Sequence, residues 1–185
     1  KQFISKSDIK VLIVGNGSNL LISDSGFDGL VIQLGEDFEN ISVVDQVVAA
    51  GGAVSLPVLA RHTVKNGLSG LEWAVGVPGS VGGAVRMNAG GHGASMSDSL
   101  LLVNVFDLQA NKYKDLDVQE LKMEYRSTVI SNYEIVIEAK FLLDAGKVEK
   151  GDERISEIVK WRRENQPGGQ NAGSVFMNPL GDSAG

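Results

Sequence analysis

Two glycine-rich segments stand out in this 185-residue sequence, because their residue types and spacing could hold an anionic ligand. The first follows the apolar run at 11–14 and consists of Gly15, Asn16, Gly17, Ser18, Asn19 and Leu20. The second extends from residue 76 to residue 91, and its candidate binding residues are Pro78, Gly79, Ser80, Val81, Gly82, Gly83, Asn88, Ala89 and Gly90. Glycine allows close backbone approach, and successive backbone N–H groups bind anions. One segment could hold a phosphate, and two could hold a dinucleotide.

Arg126 and Ser174 have side chains suited to charge stabilisation and proton transfer. Arg126 follows Tyr125, and a guanidinium presents a fork of donors that matches planar carboxylates and enolates. Ser174 follows a glycine and precedes Val175 and Phe176, and a positioned side chain of this kind can act as a general acid. Taken alone, each residue also fits a structural role, Arg126 as a surface cation and Ser174 as the start of a strand.

Two better-known motifs match less well. The Gly-Asn-Gly at 15–17 lacks the third glycine of a dinucleotide fingerprint, because position 20 is leucine, and the next residues indicate strand and turn rather than helix. We therefore exclude a Rossmann fold, while a plain hairpin turn stays open. Ser80 lies in a segment similar to a nucleophile elbow, but a proline replaces the first glycine. A serine hydrolase with His62 or His92 as its base remains a weaker alternative.

The composition narrows the function class further. The formal net charge is −6, which argues against a protein that follows a nucleic-acid backbone. The sequence has no cysteine and only two histidines, so we expect no disulfide and no metal site. No uncharged apolar run approaches the roughly 20 residues that span a bilayer, and no signal peptide is visible. We expect a cytoplasmic protein without a membrane or nucleic-acid partner.

Short strands and two helices are the elements that must position these residues. Apolar, β-rich runs bounded by turn residues predict strands at 11–14, 30–33, 41–44, 47–50, 100–106 and 133–143. Ser55 is a suitable N-cap for a helix that ends near Asn66, before Gly67. The apolar spacing predicts a second helix from Asp152 to Asn165. Because strands and helices do not alternate regularly, the pattern favours an α+β fold.

Five motifs in a fixed order resemble one enzyme family. They lie at residues 15–21, 76–83, 87–90, 125–127 and 172–176. In this order they closely resemble the UDP-N-acetylenolpyruvoylglucosamine reductases, which are flavoenzymes of bacterial peptidoglycan synthesis. The resemblance extends from Val11 to Pro179. The stretch from Lys140 to Arg154 is similar to that of the short class of the family, which lacks an extra loop with a substrate-covering tyrosine.

The resemblance implies an FAD-binding fold of the vanillyl-alcohol-oxidase type, built from two α+β subdomains and followed by a substrate-binding domain. By this comparison, residues 1–35 are the remainder of the first subdomain, 36–170 the second, and 171–185 the beginning of the third domain. The family's first segment and most of its third domain, with a catalytic glutamate, have no counterpart in the sequence. We therefore expect an incomplete enzyme, and the alternative is an FAD-binding module or an inactive fragment.

The family's reaction gives each candidate residue an implied role. NADPH reduces FAD, and the flavin then reduces UDP-N-acetylglucosamine enolpyruvate to UDP-N-acetylmuramate. By resemblance, both glycine-rich segments bind FAD, Arg126 stabilises the developing enolate, and Ser174 donates the proton to C2. Tyr125 and Asn178 are expected beside the substrate. The sequence does not specify an oligomeric state.

Overall fold

The computed structural model of the chain describes residues 9–168 and 176–179, and its secondary structure is mixed α+β, as predicted. The strands in chain order are β1 (Val11–Val14), β2 (Leu30–Gln33), β3 (Ile41–Val44), β4 (Val47–Gly51), β5 (Leu68–Ser69), β6 (Gly90–Gly91), β7 (Ala94–Ser95), β8 (Leu100–Asp107), β9 (Lys112–Asp117), β10 (Glu134–Leu142) and β11 (Asp144–Ala145). The α-helices are α1 (Leu56–Lys65), α2 (Val81–Arg86) and α3 (Val148–Asn165). Within the described ranges, no helix has the length and apolarity to cross a membrane.

Strands β1 and β2 pair with each other in parallel, with Val11 opposite Leu30 and Val14 opposite Gln33. Parallel neighbours need a crossover connection, which is usually a helix. Here residues 15–29 make the crossover without a helix, and the first glycine-rich segment is its beginning. The segment therefore leaves the end of a strand directly, which rules out the plain hairpin turn that the sequence left open.

The main sheet has five antiparallel strands in the order β3-β4-β10-β8-β9. Its four apolar strands, β3, β4, β8 and β10, were predicted to within one residue at each end. The edge strand β9 was missed, because its sequence alternates charged with aromatic and apolar residues. Charged residues are a common way to protect an edge strand. One of them, Lys114, forms an ion pair with Glu134 of β10.

Helix α1 agrees with its predicted limits, although the Ser55 side chain makes no capping hydrogen bond. Ser55 adopts the extended N-cap conformation, and Asn66 is the C-cap. Gly67 follows with φ +70°, the left-handed geometry that favours glycine after a helix. The inward side chains Leu56 and Leu59 are fully buried in the core that α1 shares with the sheet.

Much of the second glycine-rich segment forms regular secondary structure, including a short helix that the sequence analysis did not predict. Residues Glu72–Gly76 form a 3₁₀ helix, and α2 follows with Ser80 as its N-cap. Helix α2 packs on the sheet at unusually close range, because a Cβ on Gly82 would lie 3.1 Å from the carbonyl oxygen of Gly52. Gly52 is constrained more tightly, since its Cβ would lie 2.1 Å from the carbonyl oxygen of Val136. Glycine is therefore required here for close packing.

Helix α3 begins at Val148, four residues before the predicted start at Asp152. Gly151 lies in the added first turn, although glycine lowers helix propensity. In the structure Gly151 is buried against α1, where a Cβ would lie 2.6 Å from Cγ1 of Val64. The glycine thus permits the two helices to approach, and this tertiary reason is invisible in the local sequence.

Gly151→Val should therefore destabilise the chain. Val64 is 1% exposed, so the added side chain has no free space, and overpacking of this kind costs about 1–3 kcal/mol. Urea denaturation of the variant measures this loss in the free energy of unfolding. Lys150→Val is the matched control, because Lys150 is exposed and its replacement should change stability by no more than about 0.5 kcal/mol. Equal stability of the two variants would contradict the packing argument.

Candidate functional site

A cleft of about 790 Å³ opens between the first glycine-rich segment and the second. This volume lies within the roughly 300–1,000 Å³ of small-molecule sites. Its walls come from the connection after β1, from the turn before α2, from α2 itself and from the segment that follows α2. The far wall is a turn that carries Tyr125 and Arg126, with Asn178 beside it. The structure therefore brings candidate residues from four separate parts of the sequence to one place.

The two glycine-rich segments contact each other directly at the cleft. The Ser18 hydroxyl donates a hydrogen bond of 2.6 Å to the carbonyl oxygen of Pro78. Gly15 lies against Ser80, and a Cβ on Gly15 would come within 2.3 Å of the Ser80 Oγ. Gln33 of β2 holds the same point, since its Nε2 donates to the Gly15 carbonyl oxygen at 3.0 Å. Gly15 is thus needed for close approach.

Both segments offer unused backbone donors. The N–H groups of residues 16–19 have no acceptor within the described part of the chain, and the N–H groups of Gly79 and Ser80 in the second segment also have no acceptor within the described residues. Further along the second segment, by contrast, the N–H groups of Val81 and Gly82 donate to carbonyl oxygens of Val54 and Gly52 at 2.8 and 2.9 Å. The Gly83 N–H donates to the Ser80 hydroxyl at 3.3 Å. The expectation that both segments present bare N–H groups is therefore wrong for this part of the second.

Most of the candidate cofactor-binding residues line the cleft, and two do not. Those that line it are Gly15, Asn16, Gly17, Ser18, Asn19, Leu20, Pro78, Gly79, Ser80, Gly83, Asn88, Ala89 and Gly90. The Val81 side chain is instead fully buried in the hydrophobic core. Gly82 lies on the other side of α2, where it lines a second cleft. Val81 therefore supports the wall from behind.

Asn88 positions the turn that carries Arg126. Its φ of 41° is left-handed, a conformation that asparagine tolerates better than most residues. The Asn88 Nδ2 donates to the Glu124 carbonyl oxygen at 3.1 Å, and its Oδ1 accepts from the Ser97 N–H at 3.2 Å. Since both ends of this amide are engaged within the protein, Asn88 contributes to the site mainly by holding the turn at 124–127 against the second segment.

Arg126 projects from the tip of that turn. The backbone groups of Glu124 and Ser127 bond to each other at 3.0 and 3.2 Å, and Arg126 between them has φ +54°. Its Nη1 donates to the Phe176 carbonyl oxygen at 3.1 Å, and its Cζ lies 5.3 Å from the centre of the Tyr125 ring. Ser174 lies outside the described residues, so its predicted role stays a prediction.

The described lining of the cleft contains two arginines, Arg86 and Arg126, and no carboxylate. The chain as a whole has a net charge of −6, so the charge of the cleft lining is opposite in sign to that of the chain. Two guanidinium groups and unused N–H groups favour an anionic ligand. The volume, the donors and the glycine-lined approach therefore fit a dinucleotide cofactor.

A second cleft of about 410 Å³ lies on the other side of α2 and joins the first. Gly15, Asn16, Ser80, Gly83 and Arg86 line both clefts. The second cleft is walled by β1, by the beginning of β10 and by the connection before it. The two clefts therefore form one continuous groove, with the contact between the glycine-rich segments at its middle.

Glu134 lines the second cleft as a buried carboxylate that already forms an ion pair with Lys114. Burial alone would raise its pKa, but the Lys114 ammonium and the Ser131 N–H outweigh burial and leave the pKa of Glu134 below its ordinary value. The Ser131 N–H donates to its Oε2 at 2.6 Å. Glu134 thus stays charged and is held by the protein.

The structure gives no support to a serine hydrolase at Ser80. Ser80 is 3% exposed, and its hydroxyl caps α2. Neither His62 nor His92 lines the first cleft. His92 packs edge-on against Trp161 with ring centres 5.0 Å apart, and burial, together with Arg154 and Arg162 nearby, lowers its pKa. Ser80 therefore has a structural role and no base within the described part of the site.

Sequence reasoning missed several residues of the cleft. Val77, Arg86, Met87 and Ser95 line it but were not among the candidates. Arg86 and Met87 lie inside the glycine-rich segment, directly before Asn88. A helix assignment at 81–86 would have provided the signal, because residues 83 and 86 are three apart and lie on the same face of a helix. Without that helix assignment the direction of Arg86 could not be inferred.

Comparisons with known proteins agree with this site. A family model for the FAD binding domain matches residues 2–111. UDP-N-acetylenolpyruvoylglucosamine reductase of Bacillus pumilus is 37% identical over 98% of this chain and 61% of the relative. The corresponding reductase 1 of Bacillus cereus (strain ATCC 14579) is 40% identical over the whole chain and 62% of the relative. The chain therefore spans about 61–62% of the length of these curated relatives.

Solved structures show the same fold. The crystal structure of UDP-N-acetylenolpyruvylglucosamine reductase from Thermus caldophilus superposes with a TM-score of 0.84 at 35% identity, over 97% of this chain and 65% of that one. 6-Hydroxy-D-nicotine oxidase from Arthrobacter nicotinovorans shares the fold alone, with a TM-score of 0.56, 15% identity, and coverage of 78% and 33%. The predicted α+β FAD-binding fold of the vanillyl-alcohol-oxidase type is confirmed. The division at residues 35 and 170 stays a prediction.

The contact between Gly15 and Ser80 should appear as energetic coupling between their variants. Gly15→Ala places a methyl group 2.3 Å from the Ser80 Oγ, and such overpacking costs about 1–3 kcal/mol. Ser80→Ala removes that oxygen and leaves the Ser80 Cβ at 3.4 Å, an ordinary contact. The double variant should therefore lose less free energy of unfolding than the two single variants lose together, by about 0.5–3 kcal/mol.

Denaturation of the four proteins measures this coupling. Ser23→Ala serves as the control, because Ser23 is exposed and does not contact Gly15. Its effect should add to that of Gly15→Ala without coupling. Strictly additive losses for Gly15→Ala and Ser80→Ala would show that the two segments do not meet as described.

Proposed function

The chain belongs to the FAD-binding domain family, and on that basis we propose that it holds FAD along the two connected clefts. We propose further that it is part of an NADPH-dependent reductase that converts UDP-N-acetylglucosamine enolpyruvate to UDP-N-acetylmuramate. The observation that carries the proposal is a first cleft with unused N–H groups, two arginines and no carboxylate among its described lining residues. A cytoplasmic location and a role in peptidoglycan synthesis belong to the same proposal, and they rest on the resemblance to the reductase family whose name the relatives carry.

The middle of the groove suits a diphosphate. The N–H groups of residues 16–19 are unused within the described part of the chain, and consecutive donors of this kind bind phosphate oxygens. A dinucleotide with its diphosphate at this point extends in both directions. The flavin half then occupies the first cleft, towards Asn88, Ala89 and Gly90, and the adenosine half occupies the second, against β10.

The end of the first cleft suits an anionic substrate. Tyr125, Arg126 and Asn178 lie there, and the Arg126 guanidinium can stabilise negative charge that develops on an enolate. Bound FAD supplies hydride chemistry to this site. Ser174 is four residues from Asn178 in the sequence, and in this proposal its hydroxyl gives a proton to the substrate C2.

A second candidate function is an FAD-binding module without reductase activity. The observation that favours it is coverage, since the chain spans only 61–62% of the relatives' length. Titration with FAD and an assay of NADPH oxidation with the enolpyruvyl sugar nucleotide separate the two. Flavin binding without turnover supports the module, and turnover supports the reductase.

The backbone of Gly17 should be essential for flavin binding. Gly17 has φ +69° and lines the first cleft, so a valine there adds strain and blocks close approach of the ligand. We expect the Kd for FAD, measured by quenching of flavin fluorescence, to rise at least about tenfold, the equivalent of one charge-assisted hydrogen bond.

Gly26→Val is the matched control for this measurement. Gly26 has φ +77°, and like Gly17 it has no other atom within 4 Å of its Cβ position. It lies in the same connection but lines neither cleft. Its variant should bear the same backbone strain and keep the FAD affinity. Equal losses in the two variants would remove the first segment from the binding site.

Ser174 and Arg126 should act in the second half-reaction only. In the protein that carries this chain, Ser174→Ala should slow reoxidation of the reduced flavin by substrate roughly 10²–10⁴-fold, the usual contribution of a positioned acid. Arg126→Ala should slow the same step by about 10²–10³-fold through lost charge stabilisation. Reduction of the flavin by NADPH needs neither group at the substrate and should keep its rate.

Stopped-flow absorbance follows both half-reactions separately. Arg61→Ala is the control for charge, because Arg61 is exposed on α1 and lines neither cleft. A Ser174→Ala variant that loses as much rate in flavin reduction by NADPH as in reoxidation by substrate would overturn the proton-donor role.

A further inference from the structure

Arg86 occupies a distinctive place in the groove. It is the last residue of α2, and within the described part of the chain it is the sole charged side chain that lines both clefts. Arg126 lines the first cleft only, and the carboxylates Glu39 and Glu134 line the second only. Arg86 thus stands where the two clefts join, beside the contact between Gly15 and Ser80.

The Arg86 guanidinium keeps most of its hydrogen-bonding capacity. Its Nη2 donates to the Asn132 Oδ1 at 3.3 Å, and a guanidinium has five N–H donors in all. None of the ion pairs within the described residues includes Arg86. Glu134, the buried carboxylate of the second cleft, is already paired with Lys114 and with the Ser131 N–H. The positive charge of Arg86 therefore has no carboxylate partner in the described structure.

The backbone and side chain of Arg86 are fixed from two sides. Its carbonyl oxygen accepts a hydrogen bond of 2.9 Å from the Thr128 hydroxyl, and this bond does not depend on the side chain. Asn132 holds one edge of the guanidinium. A group that is anchored in this way loses little further freedom when it binds a ligand, which favours a specific contact over a loose surface charge.

We propose that Arg86 binds the phosphate oxygens of the cofactor at the junction of the two clefts and neutralises its diphosphate. The inference rests on the proposed function, because the diphosphate is that of FAD. It adds a cationic partner to the unused N–H groups of residues 16–19, which carry no net charge. Charge neutralisation matters here because the chain itself has a net charge of −6 and repels anions at long range.

The test compares FAD affinities of the ligand-free wild-type chain with those of Arg86→Gln, Arg86→Lys and Asn132→Ala at two salt concentrations. At about 0.01 M salt the Debye length is about 30 Å, and at 1 M it is about 3 Å. Arg86→Gln should weaken FAD binding about 10- to 100-fold at low salt. The difference from wild type should shrink at high salt, because the lost interaction is between charges.

The other variants separate charge from structure. Arg86→Lys keeps the charge and should recover part of the affinity. Asn132→Ala removes the hydrogen bond that orients the guanidinium but keeps the charge, so it should lose less affinity than Arg86→Gln. Arg61→Gln removes an equal charge from the exposed face of α1 and should bind FAD as the wild type does.

The results distinguish a failure of the inference about Arg86 from a failure of the proposed function. Arg86→Gln with wild-type affinity, a loss that salt does not change, or an equal loss in Asn132→Ala would overturn the inference and leave the proposed function standing. If the wild-type chain itself fails to bind FAD, the proposed function fails, and the role of Arg86 fails with it. Chemical denaturation of the ligand-free variants checks that the compared proteins are folded.

Discussion

The contact between the connection after β1 and the turn before α2 is the constraint on which the site depends. The parallel pair β1–β2 shares no strand with the five-stranded sheet in the described part of the chain. Its position over the groove is fixed where Gly15 meets Ser80 and where Ser18 bonds to Pro78. Without this contact the unused N–H groups of the first segment would have no defined position relative to α2. The two clefts meet beside this contact, because Gly15 and Ser80 line both of them.

Glycine has a different structural role in each of the two glycine-rich segments, although their compositions are similar. In the first, glycine leaves N–H groups available and permits a left-handed backbone at Gly17. In the second, Gly82 has its N–H bonded to the protein, and the absence of its side chain lets α2 approach the sheet. Ligand binding and helix packing thus use the same residue type for different physical reasons. Composition alone does not distinguish them.

The sequence was sufficient for the apolar strands, for α1 and for the general location of the site. These depend on local signals, namely apolar runs, an N-cap and a glycine after a helix. It was insufficient where a tertiary contact decides the local structure, as at Gly151 against Val64 and at Gly82 against Gly52. In both cases the absence of a side chain permits close packing, which the local sequence does not reveal. The hydrogen bonds of Asn88 to Glu124 and of Arg86 to Asn132 could not be inferred for a related reason, because these partners lie 36 and 46 residues away along the chain.

The arrangement of charge in the groove limits the kind of ligand that it can hold. A site for one phosphate needs one cation, whereas here Arg86 stands at the junction of the clefts and Arg126 stands on a separate turn beside Asn178. Arg126 is constrained by a left-handed backbone and by its bond to Phe176, and Arg86 is held by Asn132. Neither guanidinium can therefore move freely to the position that the other occupies. Two fixed and separate cations favour ligands with two separate anionic groups, and a cofactor diphosphate with a substrate carboxylate meets that requirement.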